Sequence, residues 1–188
     1  MLAVRNLGKK YGRRWLFRNV EIDLEVGDCL TVIGPNGSGK STFLKCLVGL
    51  VDPTVGTVSW NAEYGYSALD LAVYPALTAR EHLELAGQLR GIPANVTPLL
   101  ERVGLSYAAN QLAGEFSTGM AHRLKLAMAL QGEPKCLLLD EPGAGLDQNG
   151  RDLIAGIIEE RLSSGSVVLA TNDPLEYEFG TLTLTFPM

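Results

Sequence analysis

Cysteine is scarce in this sequence of 188 residues, which contains only Cys29, Cys46 and Cys136. Their spacing fits no metal-binding motif, and three cysteines cannot all pair with one another. Each one lies among apolar residues, which is typical of a reduced thiol in a protein core. We therefore expect three free core cysteines and a reducing compartment.

Long apolar runs and an excess of basic charge are also missing. No segment approaches the roughly 20 apolar residues of a transmembrane helix, and no apolar run follows Arg5, Lys9 and Lys10 to suggest a signal peptide. The 16 Lys and Arg residues are outnumbered by 21 Asp and Glu, giving a formal net charge of -5. This balance argues against broad binding to nucleic acid. We expect a soluble, cytoplasmic protein, and any membrane span must come from another chain.

The residues that are present predict an α/β fold. Apolar residues make up 46% of the chain, enough for a sizeable core in one domain. Apolar alternation and short apolar runs predict strands at 2–4, 20–24, 29–33, 57–60, 64–66, 136–139, 167–170 and 181–186. Helices are predicted at 40–49 and 150–162, and helix formers dominate from 79 to 131. Strands separated by helices favour a largely parallel sheet.

A glycine-rich loop follows the apolar run Cys29–Ile33 and meets the pattern G-x-x-x-x-G-K-[ST]. It consists of Gly34, Pro35, Asn36, Gly37, Ser38, Gly39, Lys40, Ser41 and Thr42. Its glycines let backbone N–H groups converge on an anion, at the positive end of the helix that follows. Lys40 is expected to reach the β- and γ-phosphates, and Ser41 to bind Mg²⁺. An ordinary strand-to-helix turn is less consistent with a buried strand before the loop and an amphipathic helix after it.

Asp140 and Glu141 follow the apolar residues Leu137–Leu139 and provide carboxylates at the end of a second buried strand. Asp140 fits the metal side of a triphosphate site. Glu141 is placed to polarise an attacking water molecule. A solvated acidic loop is the alternative, but the phosphate loop upstream favours a functional pair.

With these motifs in order, the chain resembles the ATP-binding subunits of ABC transporters over nearly its whole length. Tyr11 resembles the aromatic residue of that family that stacks on adenine. The segment Phe116–Met120 is similar to the LSGGQ signature, with matches at Ser117 and Gly119 and departures at Phe116, Thr118 and Met120. Ser117 also fits a simple helix N-cap. The segment Gly145–Asp147 resembles the dimer-contact loop of the family.

The resemblance implies a P-loop NTPase core with a mostly parallel sheet, an antiparallel N-terminal β lobe and an inserted helical lobe. The nucleotide-binding core would comprise 1–78 and 132–188, and the helical lobe 79–131. The implied cofactors are ATP and Mg²⁺. A second subunit, identical or similar, would contact the ATP through Ser117, Thr118, Gly119 and Asp147.

The resemblance also implies a membrane partner. Transmembrane permease subunits would hold the protein at the inner face of the cell membrane, and no nucleic acid is expected. The signature variant leans towards the exporters of the family. Members that act on translation or DNA carry paired domains or a coiled coil, which this sequence lacks.

Two positions depart from the family pattern. Leu69 stands where the family has a glutamine that contacts Mg²⁺ and the attacking water, and leucine offers no oxygen ligand. Asn172 stands in place of the histidine near the γ-phosphate, and it can donate a hydrogen bond but cannot carry a proton. The prediction is therefore intact ATP binding with slow hydrolysis. The alternative is a nucleotide-gated regulatory module with little or no turnover.

The two histidines, His82 and His122, lie in predicted helices and have no second ligand at metal spacing. We expect both at the surface.

Overall fold

The computed structural model describes residues 1–186, so the last two residues of the predicted 132–188 segment lie outside it. Its strands are β1 (Leu2–Tyr11), β2 (Arg14–Leu24), β3 (Cys29–Ile33), β4 (Val55–Trp60), β5 (Tyr64–Ala68), β6 (Cys136–Asp140), β7 (Ser166–Thr171) and β8 (Leu182–Thr185). Its α-helices are α1 (Lys40–Leu47), α2 (Ala79–Arg90), α3 (Val96–Arg102), α4 (Thr118–Leu130) and α5 (Gln148–Leu162). Every predicted strand is present, and β1 and β2 are much longer than predicted.

The central sheet has five parallel strands in the order β5-β6-β7-β3-β8. Ile33 pairs with Thr171, and Asp140 pairs with Ala170. The strands that lead into the phosphate loop and the acidic pair therefore end at the same edge of the sheet, with β7 between them. This arrangement confirms the predicted mostly parallel α/β fold.

Side chains alternate across the central sheet and build a core on each face. One face includes Leu30, Val32 and Leu138 and packs against α1 and the antiparallel sheet. The opposite face includes Leu137 and Val167 and shares its core with residues of α2, α3, α4 and α5. Burial on both sides explains why β3, β6 and β7 read as continuous apolar runs.

A second sheet, antiparallel and ordered β2-β1-β4, forms the predicted N-terminal β lobe. The ring of Phe43 on α1 lies 5.5 Å from the ring of Phe17 and 5.7 Å from that of Phe186, edge-on in both cases. Such aromatic pairs contribute about 0.5–1.5 kcal/mol beyond the area they bury. The three rings fix the β lobe to the helix that follows the phosphate loop.

Both histidines are buried, so their predicted surface position is wrong. His82 is 1% exposed, and its ring nitrogens contact the N–H of Tyr74 and the carbonyl of Thr78 at 2.9 and 2.7 Å. Burial lowers the pKa of His122 to about 4, so this imidazole is neutral at pH 7. In the folded chain, the faces of α2 and α4 that carry these histidines are covered by neighbouring segments. The three cysteines are buried and free, as predicted.

No helix among residues 1–186 is both long and apolar enough to cross a membrane.

Gly65 on β5 lets α4 approach the sheet closely. A methyl group at this position would lie 2.0 Å from the carbonyl oxygen of Ala129. We expect Gly65→Ala to destabilise the fold by about 1–3 kcal/mol, because the backbone of α4 must shift. Gly156→Ala is the matched control: this residue is exposed within α5 and has no atom within 4 Å of the added methyl. It should stabilise by about 0.5–1 kcal/mol. Chemical denaturation of both variants measures the difference.

Candidate functional site

The phosphate loop depends on glycine at both ends of its pattern. Gly34 has φ 153°, and a methyl group there would lie 2.7 Å from the carbonyl oxygen of Phe186 and 2.9 Å from Oγ of Ser38. Gly39 is the left-handed N-cap of α1, with φ 110°, and packs against Leu16. Both backbone conformations favour glycine strongly. The loop therefore turns tightly and delivers the N-terminus of α1 to the edge of the sheet.

Lys40 is the point where three chain segments meet. Its Nζ donates to the carbonyl of Gly34 at 2.8 Å and to Oδ1 of Asn172 at 2.8 Å, and it lies 3.3 Å from Oε1 of Glu141. The side chain is only 5% exposed. A buried ammonium requires such partners, because an unpaired one is very unfavourable. The loop after β3 and the ends of β6 and β7 are thereby joined at one cation.

A cleft of about 340 Å³ opens beside Lys40. It is lined by Leu16, Asn36, Gly37, Gly39, Lys40, Ser41, Thr42 and Glu141. Sequence reasoning missed Leu16. Its side chain has no polar group, and only its contact with Gly39 in the folded chain shows that it lines the cleft.

Asp140 is buried at the end of β6, and its Oδ1 has no hydrogen-bond partner within residues 1–186. Burial raises the pKa of its carboxyl group, the nearby Ser41 hydroxyl opposes that rise, and the charge of Glu141 adds to it. A carboxylate beside a hydroxyl is a hard-oxygen donor set that suits Mg²⁺. No cluster of three or more His, Cys, Asp and Glu side chains suited to a metal occurs in the described chain.

Glu141 adopts a left-handed backbone conformation, with φ 52°. This conformation is uncommon for residues other than glycine, and such strain concentrates at functional sites. Its backbone N–H donates to the carbonyl of Ala170 at 2.7 Å, which ties the strained residue to β7. Its Oε2 accepts from the backbone N–H of Asn172 at 3.3 Å. The carboxylate is thus held at the rim of the cleft.

The Asn172 amide bridges the two sides of the site. Its Oδ1 accepts from Lys40, and its Nδ2 donates to Oδ1 of Asn36 in the phosphate loop. The structure therefore brings the two predicted catalytic residues, Glu141 and Asn172, together beside Lys40.

The residues predicted to contact a second subunit do not line this cleft. The Ser117 hydroxyl caps α4 by accepting from the N–H of Met120 at 3.2 Å, so its capping role is real. Asp147 caps α5 in the same way, through the N–H of Gly150 at 2.9 Å.

Tyr11, the residue predicted to stack on adenine, is 56% exposed, and Nζ of Lys9 lies 5.0 Å from its ring centroid.

Leu69 lies in the turn after β5 and is also outside the cleft lining. Its side chain is 39% exposed, and its carbonyl accepts from Nζ of Lys125 on α4 at 2.5 Å. The next residue, Asp70, pairs with Lys45 on α1. The turn is therefore tied to both helices through groups other than the side chain of Leu69.

A family model described as "ABC transporter" matches residues 17–144, which contain the phosphate loop, the acidic pair and the signature segment. The match covers more than half of the chain. The chain belongs to the ABC transporter family, among its ATP-binding proteins.

Relatives of this ABC chain support the assignment. The ABC transporter ATP-binding protein YxlF of Bacillus subtilis is 36% identical over 184 residues, covering 92% of this chain and 62% of that protein. The lantibiotic transport ATP-binding protein SrtF of Streptococcus pyogenes is 35% identical over 183 residues, covering 92% of this chain and 80% of that protein. This chain therefore spans less than two thirds of one relative and four fifths of the other.

A solved structure of a dimeric ATP-binding cassette, bound to ADP and Pi in a post-hydrolysis state, has the same fold. It superposes with a TM-score of 0.88 at 25% sequence identity, covering 99% of this chain and 94% of that one.

The Lys40 ammonium should contribute strongly to the affinity for ATP. In Lys40→Met we expect the dissociation constant for ATP to rise by about one to two orders of magnitude, because charge-assisted hydrogen bonds to phosphate are lost. Lys135→Met is the control, since Lys135 is exposed and outside the cleft. Titration with a fluorescent ATP analogue measures both. Equal affinities for the two variants would contradict the assignment of Lys40.

The buried Asp140 should destabilise the nucleotide-free protein at pH 7, although the proposed Mg²⁺ site needs its carboxylate. Because the pKa of Asp140 is raised in the folded state, the protonated carboxyl group contributes stability at low pH. This contribution is lost as pH rises through the folded-state pKa. Asp140→Asn should therefore stabilise the nucleotide-free protein at pH 7 by about 1 kcal/mol, and the gain should shrink towards acid pH. The same variant should weaken the Mg²⁺ dependence of ATP binding. Denaturation at several pH values checks the trend, with exposed Asp52→Asn as control.

Proposed function

We propose that this chain binds and hydrolyses ATP at an interface shared by two subunits, and that the cycle drives transport by separate transmembrane permease subunits. The observation that carries the proposal is the convergence at Lys40. One buried cation joins the phosphate loop, the acidic end of β6 and the polar end of β7 beside an open cleft. Such a site fits a triphosphate.

Each residue of the cleft has a role in this proposal. The phosphate-loop N–H groups and Lys40 bind the β- and γ-phosphates. Ser41 and Asp140 would hold Mg²⁺, which when bound neutralises charge on the phosphate oxygens. Thr42 lines the same cleft. Tyr11, exposed at the end of β1, would stack on adenine.

Glu141 would orient the attacking water and accept its proton. Glu141 lies 3.3 Å from Lys40, and this contact would keep the carboxylate near the γ-phosphate that Lys40 is proposed to bind. Asn172 would donate its amide N–H to that phosphate, once the bond to Asn36 is exchanged. This exchange retains one hydrogen bond and supplies no proton.

A second subunit, identical or similar, would complete the site. Ser117 and Thr118 are exposed at the N-terminus of α4, a 13-residue helix whose positive end suits a phosphate. Gly119 lies in the same turn, and Asp147 precedes α5. None of these residues lines the cleft of its own chain, so contact with the ATP of a partner is the arrangement we favour.

We propose that 1–78 and 132–188 form the nucleotide-binding core and that 79–131 form a helical lobe. A groove of about 330 Å³ lies between them, and its lining includes Tyr66, Leu71, Tyr74, Leu89 and Met128. Tyr74 is 63% exposed and Leu89 is 79% exposed. This apolar groove is where we place the permease subunit, which would hold the chain at the cytoplasmic face of the membrane.

Cargo and direction are expected to be set by the permease. Relatives at similar identity are named for Nod factor export in Burkholderia orbicola and for zinc import in Cereibacter sphaeroides. The domain therefore serves both directions in its family. The signature variant Phe116–Met120 is the feature of this chain on which we propose export.

Hydrolysis is proposed to be slow. Leu69 offers no side-chain oxygen towards the site, and Asn172 cannot carry a proton. Lys40, Ser41, Asp140 and Glu141 are all in place for binding. The second candidate function, a nucleotide-gated regulatory module with little turnover, is favoured by the same two residues.

A steady-state ATPase assay with Mg-ATP tests the proposal. Turnover should fall below about 1 per second, against a median near 10 per second for enzymes. The double change Leu69→Gln and Asn172→His should raise it at least about tenfold, since it restores a metal-side oxygen and a group able to transfer protons. Leu50→Gln with Asn61→His, at two exposed positions, is the matched control.

A wild-type rate near 10 per second would contradict slow hydrolysis. ATP-dependent dimerisation without detectable turnover, in the wild-type protein and the double variant alike, would favour the regulatory module instead.

A further inference from the structure

Glu176 is a buried acid that the proposed reaction does not use. It lies in the short 3₁₀ helix Pro174–Phe179, just beyond the end of β7, and is 9% exposed. Its Oε2 has no hydrogen-bond partner in the described part of the chain. Acidic side chains are rarely this buried without a partner. Its place between two loops of the site calls for an explanation.

The Glu176 carboxyl group lies against the loop that follows Glu141. A methyl group added at Gly143 would be 2.4 Å from Oε1 of Glu176, so the carboxyl group lies directly against the backbone of Gly143. Gly143 accepts from the N–H of Leu146 at 3.2 Å, which forms the turn into Asp147. Glu176 therefore touches the segment that leads from the acidic pair to the proposed partner contact.

The same carboxyl group lies beside the end of β7. The Thr171 hydroxyl is close enough to influence its ionisation, and that hydroxyl also accepts from the N–H of Asp173 at 2.9 Å. Asp173 in turn pairs with Arg151 on α5. A second contact thus joins the end of β7 to α5, the helix that follows Asp147.

We propose that Glu176 is a positioning residue that fixes the loop from Gly143 to Asp147 against the end of β7. Asp147 and Asn172 then keep one geometry relative to each other. The inference rests on the proposed function, in which Asp147 contacts a second subunit and Asn172 the γ-phosphate.

The Glu176 carboxyl group has a raised pKa in this arrangement. Burial raises the pKa of this carboxyl group most, and the charges of Asp173 and Glu141 add to that rise. The Thr171 hydroxyl and the backbone of Gly143 oppose the rise in pKa. Glu176 lines a small pocket against α5, and Arg151 and Asp152 are the charged residues of that helix in its lining. Ionisation as pH rises places a third negative charge beside Asp173 and Glu141, and the loop then loosens.

Hydrogen exchange of the full chain tests the positioning directly. In Glu176→Leu, amides 143–147 and 172–173 should exchange about tenfold faster, because a buried polar contact is lost. Glu176→Gln, which resembles the neutral acid, should stay within about threefold of wild type. Glu178→Gln, exposed in the same 3₁₀ helix, is the control and should change nothing.

The glutamine variant also keeps the test decisive if the leucine variant fails to fold. The ratio of wild-type to Glu176→Gln exchange at amides 143–147 should increase with pH, because only the wild-type side chain ionises. A flat ratio, or unchanged exchange in folded Glu176→Leu, would overturn the proposal.

A functional arm separates this inference from the proposed function. ATP affinity of the monomeric Glu176→Leu protein should stay within about twofold of wild type, while ATP-driven dimerisation weakens about tenfold. Altered exchange in a chain that never dimerises would leave the positioning role intact and contradict the shared ATP site. Normal dimerisation of Glu176→Leu would contradict the positioning role alone.

Discussion

The buried ammonium of Lys40 is the interaction on which the site depends. A cation that is 5% exposed must be surrounded by oxygens, and they come from Gly34, Glu141 and Asn172. These residues are far apart in sequence, and the parallel register of β3, β7 and β6 brings them to one edge. Because the same cation binds phosphate in the proposed reaction, the side chain of Lys40 serves both the fold and the function.

The surrounding residues are arranged for chemistry at some expense of stability. Asp140 is buried with an unpartnered oxygen and a raised pKa, and Glu141 holds a left-handed backbone. Both features are unfavourable in an ordinary core and common where charge must be held ready for a ligand. Glu176 is a second buried acid, close to the loop that follows Glu141. The site thus holds Asp140 and Glu141 at the sheet edge that carries the buried Lys40, and a bound Mg²⁺ would compensate their negative charge.

Sequence reasoning found the parts of this protein that local pattern determines. Apolar runs located the three buried strands, and the glycine spacing located the phosphate loop, because both reflect short-range backbone requirements. It did not find Leu16, the burial of His82 and His122, or the contact between Glu176 and Gly143. Each of those depends on packing between segments distant in the chain. The roles of Ser117 and Asp147 at a partner's ATP depend on a second chain and stay predictions.

We propose that this chain retains ATP binding while Leu69 and Asn172 slow cleavage. Single-turnover kinetics test it most directly, with protein in excess over radiolabelled Mg-ATP and bound and cleaved nucleotide counted from the same samples. We expect saturable binding to be complete long before cleavage, with a cleavage rate well below the roughly 10 per second typical of enzymes. Cleavage that keeps pace with binding would contradict the account, and so would the absence of saturable binding.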